Sequence, residues 1–100
     1  MADLEINAAR GILKVSGALT GEDDVSLRRA CDELLRGPSR RLLVDMTGVD
    51  SIVSICVGVI AAMWLDAITM ERELEVAPSK EVRRIFQIAG FDRVFNLRDG

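Results

Sequence analysis

The sequence predicts an α/β fold: a mixed β-sheet covered by helices, in the order β-β-α-β-α-β-α-(β). Three observations carry this. The apolar spacing alternates between period two and the helical period along the chain. Glycine and proline signals fall between the periodic segments. Apolar residues make up 49% of 100 residues, enough for a core without staples.

Leu4, Ile6 and Ala8 alternate with Glu5 and Asn7, which suggests a short strand over residues 4–8. Arg10-Gly11 reads as a turn. Ile12 to Ser16 is a second strand, and the pair forms an antiparallel hairpin. Residues 17–21 read as a loop. Val25, Leu27, Ala30, Cys31, Leu34 and Leu35 then recur at helical spacing, with Thr20 or Asp23 as cap and Gly37-Pro38 as stop. Glu22, Asp23 and Asp24 suit the positive end of that helix.

Leu42, Leu43 and Val44 stand in a row within Arg41–Met46, the pattern of a central strand covered on both faces. Thr47-Gly48 should end it, leaving Asp50 and Ser51 in a loop. The next helix, from about Ser54 to Met70, is apolar almost all round and should be buried on several sides. Its small residues Gly58, Ala61 and Ala62 would let it approach a sheet closely, and Trp64 reads as core. Leu74–Val76 form another short strand. Pro78 opens a third helix, capped by Ser79 or the residue before Pro78. Its stripe is Val82, Ile85, Phe86 and Ala89, and Gly90 ends it. Arg83, Arg84 and Arg93 read as solvated. Phe91, Val94, Phe95 and Leu97 supply a last apolar patch and a short last strand.

Composition bounds the function. Residues 1–100 fit one domain. Thirteen basic against 16 acidic side chains exclude a dominant basic face, so direct nucleic-acid binding is not expected. The chain has no histidine, which removes Ser-His-Asp and Cys-His nucleophile arrangements. No cofactor or metal is expected. Cys31 and Cys56 are too few and too far apart for a disulfide framework and read as buried, reduced thiols. The N-terminus has no apolar h-region. The apolar run from Ile52 to Leu65 is too short to span a bilayer. A cytoplasmic, non-enzymatic binding protein is the expectation.

Four stretches together resemble the STAS domain, found in bacterial anti-sigma factor antagonists and sulfate transporters. They are Val15-Ser16-Gly17-Ala18-Leu19, the run from Arg41 to Val49, Val57-Gly58-Val59-Ile60, and Ala77 through Phe86 to Gly90-Phe91 and Phe95. Their order and spacing match that family over most of the chain. The resemblance implies a module that binds a kinase-type anti-sigma factor when unphosphorylated and releases it when phosphorylated. The family's phosphorylated serine aligns with Ser54. Around it the family's Asp-Ser-Ser/Thr-Gly is here Val53, Ser54, Ile55 and Cys56, so three of four positions differ.

A phosphate on Ser54 would meet the free amides and the positive pole of a helix start. The purely structural reading of Ser54 is a helix N-cap. The resemblance centres the partner surface on Asp50, Ser51, Val53, Ser54, Ile55, Cys56 and Val57. The Glu22–Asp24 run also falls near the switch site in that family. Two other readings stand beside the switch. One is an unphosphorylated STAS scaffold or accessory subunit, of a stressosome-like assembly or a lipid-transport ATPase. The other is a small enzyme or ligand carrier with a pocket near Cys56.

Overall fold

The computed structural model describes residues 2–98. A hairpin opens the chain: β1 (Asp3–Asn7) lies antiparallel to β2 (Ile12–Leu19). A 3-10 turn (Gly21–Asp23) leads into α1 (Asp24–Arg36). Then follow β3 (Arg41–Ile52), α2 (Ser54–Thr69), β4 (Glu73–Pro78) and α3 (Lys80–Ala89). The sheet order is β1-β2-β3-β4, with β2, β3 and β4 mutually parallel. The expected mixed α/β architecture and element order are therefore present. The short last strand reduces to one parallel bridge, Val76 to Leu97.

Both crossovers step to the adjacent strand in the same direction. With right-handed connections, that places α1 and α2 on one face of the sheet. The burial pattern agrees. Leu13, Val15, Leu42, Val44, Met46, Leu74 and Val76 point into one core with Leu27 and Leu34 of α1, Ile60 and Met63 of α2, and Val82 and Phe86 of α3. Alternate residues point the other way: Lys14 is exposed, and Leu43, Asp45 and Glu75 are half-buried. The run Leu42-Leu43-Val44 is thus not a doubly covered strand. Leu43 pairs with Ile12 on the open face, where two apolar neighbours shield each other.

The predicted stops in β2 and β3 also move. β2 continues through Gly17, whose φ of 87° is readily adopted only without a side chain. β3 continues through Thr47 and Gly48, because it carries extra residues rather than ending. Lys14 pairs with Asp45 and Ser16 with Gly48, so β3 gains one residue there. Gly17 pairs with Val49 and Ala18 with Ser51, so it gains another at Asp50. At the first bulge the Thr47 amide and hydroxyl donate to Asp45 Oδ1, at 3.0 and 2.7 Å. A turn-like motif therefore sits inside a strand. Gly48 is required here, since a Cβ would lie 2.9 Å from Ser16 Cβ.

The helices differ from expectation in detail. α2 is not buried on several sides: Ile55, Leu65 and Ile68 are 49%, 60% and 50% exposed. Gly58 and Ala62 are exposed rather than pressed on the sheet. Val25 faces solvent, because it lies opposite the Leu27–Ala30–Leu34 stripe of α1. Pro78 closes β4 and Ser79 caps α3, accepting from the Val82 amide at 3.1 Å. Gly90 ends α3 in the left-handed conformation expected of it. Trp64 is half-buried against the core beside Phe95, which stacks on Phe91 and meets Phe86 edge-on. Arg84 pairs with Glu81 across one turn, and the Arg83 guanidinium donates to the Arg98 carbonyl at 3.4 Å. Both cysteines are free and buried.

Candidate functional site

The carboxyl ends of the parallel strands and the starts of the helices gather at one end of the molecule. Thr20 is its hub. Its amide and hydroxyl donate to Asp23 Oδ2 at 2.8 and 3.1 Å, and its hydroxyl accepts from the Glu22 amide. This capping box closes the turn into α1. The Thr20 carbonyl in turn accepts the Cys56 thiol, 3.3 Å away. The Val53 amide donates to the Leu19 carbonyl at 3.1 Å. The end of β2 therefore holds both the entrance to α1 and the first turn of α2.

Asp23 is buried, yet its carboxyl is held below the ordinary value, first by the Thr20 amide and then by the Thr20 hydroxyl and the Ala2 amide. Hydrogen bonds to the charged form outweigh the penalty of burial. The Cys56 thiol is pushed up, first by burial and then by Asp23 and Asp24. A thiol held protonated and committed to a carbonyl is a poor nucleophile. That weakens the reading of an enzyme built on Cys56.

Of the seven residues expected to form the partner surface, five are exposed. Asp50 is the extra residue of the second β3 bulge, and Ser51 follows it in the strand. Both were expected in a loop. Val53 is 40% exposed and Ile55 49% exposed, with exposed Ser54 between them. Cys56 and Val57 are buried, at 0% and 4%, because they are in helical phase with Ile60. They lie beneath the exposed five.

Ser54 is not the cap of α2. Val53 is, with extended backbone and no side-chain hydrogen bond, and its carbonyl accepts from the Cys56 and Val57 amides. Ser54 is the first helical residue, at the positive pole of a helix with no acidic residue in its first turn. The hub role of Thr20 was only partly legible. Thr20–Asp23 spacing is a capping signal, but nothing in the sequence pairs Thr20 with Cys56.

This end of the molecule presents exposed apolar and hydroxyl groups at a helix start on an α/β frame. The chain belongs to the STAS domain family described as "Mlab, STAS domain", whose model matches residues 2–99. Solved structures share the fold at low identity. An anti-sigma factor antagonist from Mycobacterium paratuberculosis superposes with a TM-score of 0.87 and 19% identity, covering 100% of this chain and 87% of that one. The anti-sigma factor antagonist SpoIIAA in its unphosphorylated form gives 0.77 and 17%, covering 100% and 88%. The Bacillus cell fate determinant SpoIIAA in its phosphorylated form gives 0.72 and 16%, covering 100% and 91%. Among curated proteins, none matches in sequence. Among the described residues, no helix is long and apolar enough to cross a membrane.

Proposed function

We propose that this chain is a regulatory binding module of a partner-switching pathway, acting like an anti-sigma factor antagonist. A kinase-type anti-sigma factor docks on Asp50, Ser51, Val53, Ser54 and Ile55, over the buried support of Cys56 and Val57. One observation carries the reading: Val53 and Ile55 present apolar surface on either side of an exposed serine at a helix start. Apolar anchors ringed by polar groups are what docking surfaces use. A phosphate on Ser54 would add roughly 1.5 to 2 negative charges among those anchors and oppose docking.

Titration calorimetry against the ATP-binding anti-sigma factors of the host, with Ile55→Asp beside the native chain, tests the docking. Intact mass after incubation with ATP and the bound factor tests the switch. The expected results are a complex lost in Ile55→Asp and one added phosphate absent from Ser54→Ala. A complex with no factor, or one indifferent to Ile55→Asp, refutes the docking. Complex formation without phosphate supports the second reading, a fixed subunit of a scaffold or of a lipid-transport ATPase. That reading draws on the apolar Val53 and Ile55, which suit permanent contact.

A further inference from the structure

The outer sides of the three helices differ in charge. The exposed side of α1 carries Arg28, Arg29, Asp32, Glu33 and Arg36, and α3 exposes Lys80 and Arg84. α2 carries one charge in 16 residues, Asp66. That carboxylate lies at the α1 edge, where it lines a surface cavity with Asp32 and Arg36. Between Ser54 and Thr69 the outer side of α2 otherwise exposes Ile55, Gly58, Ala62, Leu65 and Ile68. A helix apolar all round is normally covered all round, and this one is covered on its inner side only.

Gly58 stands in the middle of that side without a reason inside the chain. A Cβ there would meet nothing within 4 Å, although glycine within a helix is destabilising relative to alanine. An approach close enough to favour glycine therefore comes from outside the chain. The spacing shows what would fit. Ile55, Gly58, Ala62 and Leu65 are placed symmetrically about position 60, in the order large, small, small, large. In an antiparallel copy related by a two-fold axis at that level, Leu65 stands level with Ile55 and Ala62 with Gly58. The small pair lets the two helices close, and the large pair packs at both ends of the contact.

We propose that the outer side of α2 pairs antiparallel with α2 of a second copy of this chain. The area fits. Sixteen residues at about 1.5 Å each make the face roughly 24 Å long. Trp64 extends it sideways to Phe95, on which Phe91 stacks, and exposed Val94 lies in the same turn. Together they offer on the order of 600 Å², the low end of what each partner gives a stable interface. The charges fit as well. Arg28 and Asp32 flank the face on the α1 side, and Asp92 and Arg93 adjoin Val94 on the other, so both rims are mixed in sign. Two copies of net charge −3 can then meet without a like-charged seam, and an uncharged centre within a polar rim is the usual anatomy of an interface. Ile55 also belongs to the docking surface proposed above; on that reading, and only on it, the dimer withholds Ile55 from the anti-sigma factor.

Sedimentation equilibrium of the full chain alone tests the dimer, whatever the fate of the docking reading. The weight-average mass should rise from 11.0 kDa towards twice that value between about 5 and 500 μM, the range expected of a small interface. Leu65→Glu enters the interface twice and should weaken the dimer on the order of 100-fold. Gly58→Leu adds apolar surface but blocks the close approach, and should weaken it at least about tenfold. Val25→Glu, at an exposed apolar position of α1, should change nothing. Under mild oxidation, a mixture of Gly58→Cys and Ala62→Cys chains should cross-link more than either alone. Far-UV circular dichroism confirms that each variant is folded. A mass fixed at 11.0 kDa overturns the proposal, as does a dimer indifferent to Leu65→Glu. A dimer tightened by Gly58→Leu would mark unspecific apolar adhesion and overturn it too, and cross-linking no greater in the mixture overturns the antiparallel pairing.

Discussion

Substituting Ser54 by Asp tests the electrostatics of the proposed switch without any partner. Ser54 is exposed and first in α2, whose cap offers no side-chain acceptor and whose first turn holds no acid. The change therefore sacrifices no buried surface and adds one negative charge beside about half a positive one. At about 4 Å in water-like surroundings that attraction is worth roughly 0.5 kcal/mol, and at an effective dielectric of about 20 roughly 2 kcal/mol. The exposure of Ser54 favours the lower figure. The expectation is a gain of about 0.5–1 kcal/mol, or roughly 2–6 °C in Tm for a chain of this size.

Urea unfolding followed by the fluorescence of Trp64, the one tryptophan, measures it directly. The gain should shrink in about 0.5 M salt and vanish as pH falls below about 3.9, where the new carboxylate protonates. Ser54→Lys should shift stability the opposite way by a similar amount. If Ser54→Asp is neutral or destabilising at neutral pH and low salt, the start of α2 is not an electropositive site. A gain that survives protonation would refute the electrostatic account as well.

Two further expectations concern stability. Glu71 has a φ of 57°, in the left-handed region, where it ends α2 while the Arg72 amide donates to the Ala67 carbonyl at 2.8 Å. Glu71→Gly should raise unfolding free energy by about 1 kcal/mol, and an unchanged urea midpoint would contradict this. The pH profile should fall off on both sides. Asp23 has a folded value below the ordinary 3.8, so its contribution is present above that and lost as pH falls through the folded value; Asp23→Asn should flatten the acid limb. Burial, with Asp32 adding to it, pushes Cys31 up to about 12, so its contribution is intact below pH 9.0 and lost from there towards about 12. Cys31→Ala should flatten the alkaline limb of a urea-midpoint titration. An identical slope in the variant would show that the thiol is not responsible.

The helices and the order of elements along the chain were legible because each rests on a local signal. The Leu27–Ala30–Leu34 stripe, Ser79 and Gly90 all behave as their residue types require. The end of β3 was not legible for a nonlocal reason. Asp45, Thr47 and Gly48 do make turn chemistry, but β2 continues alongside and keeps the strand paired through two bulges. Asp50 thereby becomes a bulge residue on a strand rather than part of a loop. The face of α2 was hard to read because nearly every position is apolar, so hydrophobicity carries no phase. Depth separates Ile55 from Cys56 although both are apolar neighbours, and only the helix phase fixed by Ile60 and Met63 assigns it.

The helix starts themselves show where folding and contact diverge. α3 is capped by Ser79, and α1 is entered through the turn capped by Thr20. At α2 the capping position holds Val53, which forgoes about 1 kcal/mol that Ser, Thr, Asp or Asn would supply there. Val53 recovers only part of that by burial, since 40% of it stays in solvent, and Ile55 exposes 49%. Local rules are kept at two helix starts and set aside at the third. Departures of that kind concentrate at sites whose surface serves something other than folding. An exposed apolar cap is idle in the free chain and useful once a partner covers it. If the proposed docking surface is right, the apolar residues around Ser54 serve it, and replacing Val53 by Ser should leave unfolding stability within about 1 kcal/mol of the native chain while weakening partner binding.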